Sequence, residues 1–263
     1  MEWLEHDGIG LRYHLRPGGN VTLVLVHEMG GTLESWDDVV PRLRPGPGVL
    51  RFDTRGAGLS TKLRGAARIE DMSYDIGRVL DSAGRTGPVV LAGIAVGAAI
   101  AMHFASRHPG RVRGLMPFGP ATGVGPDRRA VTLDRAEAVE AGGMIAIADA
   151  ALGQSYPVAL RTNDRRFERL RARWLGNDPG SYAAILRMLA ELDMEAELPA
   201  IRCPTLVLAG TNDLIRPSAT VRPVADRVPG ARFETLASGH FASVQAPELF
   251  ADRLNGFLAE IGL

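Results

Sequence analysis

The sequence predicts an α/β fold: a mostly parallel sheet with helices on both faces and a helical insertion. Three features predict it. Short apolar runs rich in β-branched residues alternate with helical patterns along most of the chain, the rhythm of a parallel sheet joined by right-handed crossovers. One such run turns into a helix through Gly93-Ile94-Ala95-Val96-Gly97. The rhythm then lapses from about Gly119 to Leu198, where helical segments rich in Ala, Leu and Arg replace strands.

Two short strand-like runs around Asp7-Gly8 read as a hairpin. Val21–Val26 is almost continuously apolar, as suits a strand buried on both faces. It ends in His27-Glu28-Met29-Gly30-Gly31, after which Trp36, Val40 and Leu43 fall at helical spacing. A second strand, Val49–Asp53, enters the glycine-rich turn Thr54–Ser60. Residues 69–83 form an amphipathic pattern with Ile69, Met72, Ile76, Val79 and Leu80 on one side. A third strand, Val89–Ala92, runs into a helix over Val96–Arg107. Its Gly97, Ala98, Ala99, Ala101 and Ala105 permit close approach to a sheet. His108-Pro109-Gly110 stops that helix. A fourth strand spans Val112–Phe118, Thr205–Ala209 restores the sheet, Arg232–Leu236 is its last strand, and Pro247–Ile261 the closing helix. Residues 1–120 and 199–263 are expected to form the α/β core. Residues 121–198 are expected to form a helical cap over the carboxyl edge of the strands, where open α/β sheets bind ligands.

The 263 residues and 46% hydrophobic content suffice for one well-buried domain, with or without an insertion. Thirty basic residues balance thirty acidic ones, so bulk charge points to neither nucleic acid nor a membrane surface. The single cysteine, Cys203, reads as a small buried residue rather than a nucleophile, and it fits a reducing compartment. The opening residues are too polar for a signal peptide, and no apolar run approaches the roughly 20 residues of a membrane helix. The expectation is a soluble, cytoplasmic protein, with a homodimer as a candidate assembly.

A strand-to-helix turn flanked by Gly93 and Gly97 presents its central side chain at the top of the sheet. It also aims the next backbone N–H, that of Val96, at whatever binds there, where the helix N-terminus adds partial positive charge. Chemistry would want Ser, Cys or Asp at the centre. Here it is Ala95, which cannot attack anything. Asp213 follows a strand in Ala209–Pro217; it reads either as an acid that orients a histidine or as a turn residue capping the next helix. His240, in Ala237-Ser238-Gly239-His240-Phe241 after the last strand, tips the balance towards the first. The order elbow, acid, histidine is that of a triad carried on an α/β sheet.

On these motifs the chain resembles the α/β-hydrolase superfamily over nearly its whole length, and most closely the enol-lactonase and C–C-bond-hydrolase group with a short helical cap. His27–Gly31 resembles that family's His-Gly oxyanion loop, which implies that the N–H groups of Met29 and Val96 hold an oxyanion. Asp53-Thr54-Arg55-Gly56-Ala57-Gly58-Leu59-Ser60 matches its Asp-x-Arg-Gly-x-Gly-x-Ser structural turn. Asp213 falls on the acid position and His240 on the base. Two residues depart: Glu28 replaces a glycine, and Ala95 replaces the nucleophile. The resemblance implies small, carboxylate-bearing ester, lactone, amide or C–C substrates.

Three explanations fit Ala95: a serine enzyme inactivated by substitution, favoured because the remaining machinery is present; a natural His240–Asp213 dyad enzyme without a covalent step; or a binding protein on a hydrolase fold. In the insertion, Arg161, Arg165, Arg166, Arg169, Arg171, Arg173 and Arg187 are candidates for a carboxylate clamp, though each alone reads more readily as part of a solvated face. Glu28, Trp174, Tyr182 and Arg187 are the candidate substrate contacts. No clustered ligand spacing suggests a metal and no dinucleotide fingerprint is present, so no cofactor is expected.

Overall fold

The structure is a computed structural model that describes residues 2–263. Strands β1 (Glu2–His6), β2 (Ile9–Arg16), β3 (Gly19–Val26), β4 (Pro47–Phe52), β5 (Val89–Ile94), β6 (Val112–Phe118), β7 (Leu206–Gly210) and β8 (Arg232–Leu236) form one sheet. Its order is β1-β2-β4-β3-β5-β6-β7-β8. The pairings of β1 with β2 and of β2 with β4 are antiparallel; the others are parallel. Asp7 and Gly8, with φ of 50° and 74°, turn the expected opening hairpin, as a two-residue primed turn requires.

The continuous apolar runs are explained by burial on both faces. Val24, Val26, Leu50, Phe52 and Leu91 point to a layer containing α1 (Ile69–Ser82) and α2 (Val96–Arg107). Their neighbours Leu23, Leu25, Val49, Val90 and Ala92 point to the opposite layer, with Trp36 and the closing helix. Alternation along each strand distributes one sequence run between two cores. The helix expected around Trp36–Leu43 is instead two 3-10 turns, Leu33–Trp36 and Val40–Arg42. Pro41 explains this, because within an α-helix its ring would clash with the carbonyl four residues earlier and it has no N–H to donate.

Between β6 and β7 lie α3 (Pro126–Gly142), α4 (Ala148–Ser155), α5 (Asp164–Leu175) and α6 (Pro179–Glu191). They share a core of their own, in which Val139, Leu152, Tyr156, Phe167, Trp174 and Tyr182 meet Phe241 and Val244. The last two come from the region of α8 (Ala242–Gln245), which with α7 (Ser218–Asp226) the sequence pattern left undelimited. The closing helix α9 spans Pro247–Glu260.

The Asp53 turn is structural. Ser60 Oγ accepts the Arg12 N–H and donates to the Asp53 carbonyl. Gly58, at φ 48°, abuts the Asp53 carboxylate so closely that a Cβ would overlap it. Arg12 bridges Asp53 and Glu34. Burial alone would raise the Glu34 carboxyl, but the Arg12 guanidinium and the Thr32 hydroxyl outweigh it and hold it down at about 2. A depressed folded-state value stabilises the fold above the ordinary value and loses that contribution as pH falls. Acidification from about 4.5 to about 2 is therefore expected to lower the melting temperature more in this protein than in Glu34→Gln, with equal slopes refuting the assignment.

Candidate active site

The elbow is built by crowding. Ala95 has φ 52° and ψ −113° at the start of α2, a region that non-glycine residues occupy at a cost. Its N–H donates to the Phe118 carbonyl at 2.9 Å, and its own carbonyl accepts from the Ala99 and Ala121 N–H groups. A Cβ on Gly93 would stand 2.5 Å from the Gly97 carbonyl oxygen. One on Gly97 would overlap the carbonyl oxygens of Val26 and His27. Gly97→Ala is thus expected to destabilise the protein by about 3 kcal/mol, since the obstacle is backbone and cannot rotate away; a denaturation midpoint close to that of the parent would refute this.

The loop after β3 is equally specified. His27 Nδ1 lies 2.7 Å from the Glu28 carbonyl, and Nε2 accepts the Thr54 N–H at 3.0 Å, so the ring carries its proton on Nδ1. Neither the Met29 nor the Val96 N–H has an acceptor among the described residues. Gly30, at φ 80°, lies against the Trp174 ring with no room for a Cβ, and Asn177 Nδ2 donates to its carbonyl at 3.0 Å. Glu28 points away from the cavity. Its Oε1 accepts from Ser35 Oγ at 2.8 Å, and a side chain at residue 31 would overlap its carboxylate. The second departure from the family pattern is therefore packed into the structure, with Gly31 making room for it.

His240 Nδ1 lies 2.8 Å from Asp213 Oδ2. Asp213 Oδ1 accepts the Ile215 and Arg216 N–H groups, each at 2.8 Å. Burial pushes the Asp213 carboxyl up, but His240 and these two amides outweigh it and hold it below its usual range. An ionised carboxylate with its lone pairs committed fixes the ring orientation and stabilises an imidazolium. The His240 N–H donates to the Ser155 carbonyl at 3.1 Å, tying the loop to the end of α4.

A cavity of about 740 Å³ joins these parts. Met29, Ala95, Val96, Trp174, Tyr182 and His240 all line it, with Asp213 behind His240. Trp174 and Tyr182 meet edge to face with centroids 5.6 Å apart, so they serve both as core of the helical segment and as cavity wall. Burial pushes the Tyr182 phenol up, keeping it neutral.

The structure does not bring the other expected contacts to the cavity. Glu28 is buried beneath the loop, and Arg187 faces outward and pairs with Glu140 at 2.5 Å. None of the seven insertion arginines singled out from the sequence lines the cavity. The reason is the amphipathicity of α5, which turns Phe167, Leu170 and Trp174 inward. Arg166 and Arg169 then reach Asp38, and Arg161 stacks on Phe167. Sequence reasoning missed Arg128, Arg135 and Arg216, which do line it. A signal existed: Arg128, Thr132 and Arg135 recur at helical spacing on α3, and Arg216 follows Asp213 within the same loop.

Comparison with known proteins accords with this geometry. A family profile described as "Serine aminopeptidase, S33" matches residues 20–238, a span that holds Met29, Ala95 and Asp213 and stops just short of His240. RutD of Azorhizobium caulinodans, named as a carbamate hydrolase, is 30% identical over 97% of this chain and 98% of its own. The 3-oxoadipate enol-lactonase 2 of Acinetobacter baylyi is 24% identical over 87% of this chain and 85% of its own. Among solved structures, a malate-bound thermophilic esterase from Thermogutta terrifontis superposes with a TM-score of 0.91 at 26% identity, covering 100% of both chains. The enol-lactonase of Burkholderia xenovorans superposes at 0.90 with 26% identity, covering 98% of this chain and 100% of its own. The profile covers most of the chain, and the sheet order, elbow and late acid–histidine pair agree with it: the chain belongs to the serine aminopeptidase S33 family, as an α/β-hydrolase close to the enol-lactonase group.

Proposed function

We propose that this chain carries the acyl-transfer site of a serine hydrolase for small, carboxylate-bearing esters, lactones, amides or C–C substrates, complete except for the hydroxyl at residue 95. The observation that carries the proposal is the intact Asp213–His240 pair, opening with the Met29 and Val96 N–H groups on the cavity that Ala95 lines. In a form with serine at 95, His240 takes the hydroxyl proton while Asp213 holds the ring, and the oxygen attacks the substrate carbonyl. Met29 and Val96 receive the oxyanion, each such donor contributing about 3–4 kcal/mol. His240 then returns the proton to the leaving group, and water releases the acyl group by the same steps. Residues 121–198 serve as a cap that shapes the pocket through Trp174 and Tyr182. The carbamate hydrolase and enol-lactonase relatives support hydrolysis, and the malate-bound esterase supports a small acidic ligand. A fluorophosphonate probe tests the reading: it is expected to label residue 95 of Ala95→Ser and to leave the Ala95 protein unmodified, as read by mass spectrometry. Absence of the adduct refutes it.

A second reading has one observation in its favour. Glu28 accepts a hydrogen bond from Ser35 on one carboxylate oxygen and Gly31 makes room for it, so divergence from the family pattern extends beyond Ala95. This favours a chain that works without the serine, with His240 acting directly as a base on a bound substrate. That reading requires turnover by the Ala95 protein that His240→Ala abolishes.

A further inference from the structure

We propose that Arg216 and Arg128 form a carboxylate clamp on the cavity wall, selecting ligands that carry a free carboxylate close to the group presented to Ala95. The clamp deepens the hydrolase reading, on which it rests for the orientation of the substrate, and it places recognition on the loop after β7 and the first turn of α3 rather than on the α5 arginines.

Arg216 is held at two points. Its backbone N–H donates to Asp213 Oδ1, and its Nη1 donates to the Gly123 carbonyl at 2.7 Å. A Cβ at Gly119 would stand 3.3 Å from Asp213 Oδ2 and 3.6 Å from the Arg216 Cβ, so the arginine stem and the catalytic carboxylate flank the same point. Its Nε and Nη2 have no acceptor among the described residues, and neither is sealed from the cavity. Arg128, at the rim, reaches the Ile215 carbonyl with Nη1 at 3.3 Å. Neither arginine belongs to an ion pair among the described residues.

The remaining charges on the wall are accounted for differently. Arg129 pairs with Glu191 and Arg227 with Glu195; Asp193 Oδ1 accepts the Glu195 N–H, and Arg135 donates to Gln154. Asp213 is committed to His240. Burial and then the charge of Arg128 pull Arg216 down to about 10, and Asp213 does not restore it. Arg128 reaches the carbonyl of the residue before Arg216, and two guanidinium groups with unfilled donors on one cavity wall suit a planar anion that accepts from both. A strut joining the Asp213 loop to Gly123 would need only the Nη1 bond and would make no demand on the ligand.

The test uses the Ala95 protein, titrated with monomethyl glutarate and with dimethyl glutarate. The monoester is expected to bind roughly tenfold or more tightly than the diester, the worth of a charge-assisted hydrogen bond. Arg216→Met is expected to erase that preference, so that the monoester and the diester bind alike. Arg128→Gln, at an exposed position that does not threaten the fold, is expected to reduce it severalfold. Equal binding of the two esters by the parent, binding of neither, or variants that lose both alike overturns the clamp. The outcome is separable from the hydrolase reading. A preference lost in the arginine variants, with an inert Ala95→Ser, leaves the clamp standing and removes the serine chemistry; hydrolysis by Ala95→Ser without any preference does the reverse.

Discussion

Ala95→Ser is expected to raise the turnover of small activated esters by on the order of 10⁴- to 10⁶-fold over the Ala95 protein, the range that separates triad enzymes from forms lacking their serine. The size follows from how little else must change. Residue 95 already sits at φ 52°, so a serine inherits backbone strain that the fold already bears. Its side chain enters the wall of a formed cavity alongside His240. The base is oriented at 2.8 Å by a carboxylate whose other oxygen is committed to two amides. On the proposed reading only the nucleophile is missing, and because triad members act as a unit its return restores the whole effect rather than a share. The double variant Ala95→Ser with His240→Ala should return to the Ala95 rate. Release of p-nitrophenol from short acyl esters measures both, and a gain below tenfold in the single variant would sink the proposal.

Asp53→Ala should unfold the protein at markedly lower denaturant, with a loss of about 3–5 kcal/mol. Asp53 is fully buried and accepts four hydrogen bonds: from Arg12 Nε at 2.7 Å, Arg12 Nη2 at 2.9 Å, Leu33 N–H at 2.8 Å and Leu59 N–H at 2.8 Å. Removing it strips a buried guanidinium of one of its carboxylates and leaves two loop amides unsatisfied. The cost comes chiefly from those stranded groups, so Asp53→Asn, which keeps an acceptor in place, should lose less. Urea midpoints decide the matter. A loss below about 1 kcal/mol for Asp53→Ala would mean that Glu34 and solvent take over its role.

Local chemistry made the elbow, Asp213 and His240 legible as a candidate site. Gly93 and Gly97 announce a turn with no room for side chains, and the overlaps around both glycines are the cause. Strands β6 and β8 and helix α2 span the residues expected of them: β6 and α2 are almost wholly buried, whereas β8 is a half-exposed edge strand marked by its place in the strand–helix alternation. Where a local rule competed with the period, the period misled. Pro41 turned an expected helix into 3-10 turns, and Gly31 made room for a Glu28 that points away from the cavity. The α5 arginines stood out by number, yet the apolar stripe of that helix turns them to solvent, while the few arginines facing the cavity were hidden by their ordinariness.

By itself the sequence determined the fold class, the order of the strands along the chain, the choice of residue 95, Asp213 and His240 as the candidate site, and the absence of a hydroxyl at residue 95. These rest on spacing and on the conformations each residue permits, which are local properties. Tertiary structure alone decided that Trp174 and Tyr182 wall the cavity, that Glu28 and Arg187 do not, and that Arg216 and Arg128 line it together with His240. Those outcomes depend on how elements far apart in the chain pack, since a side chain's direction relative to a distant wall has no signature in its neighbours.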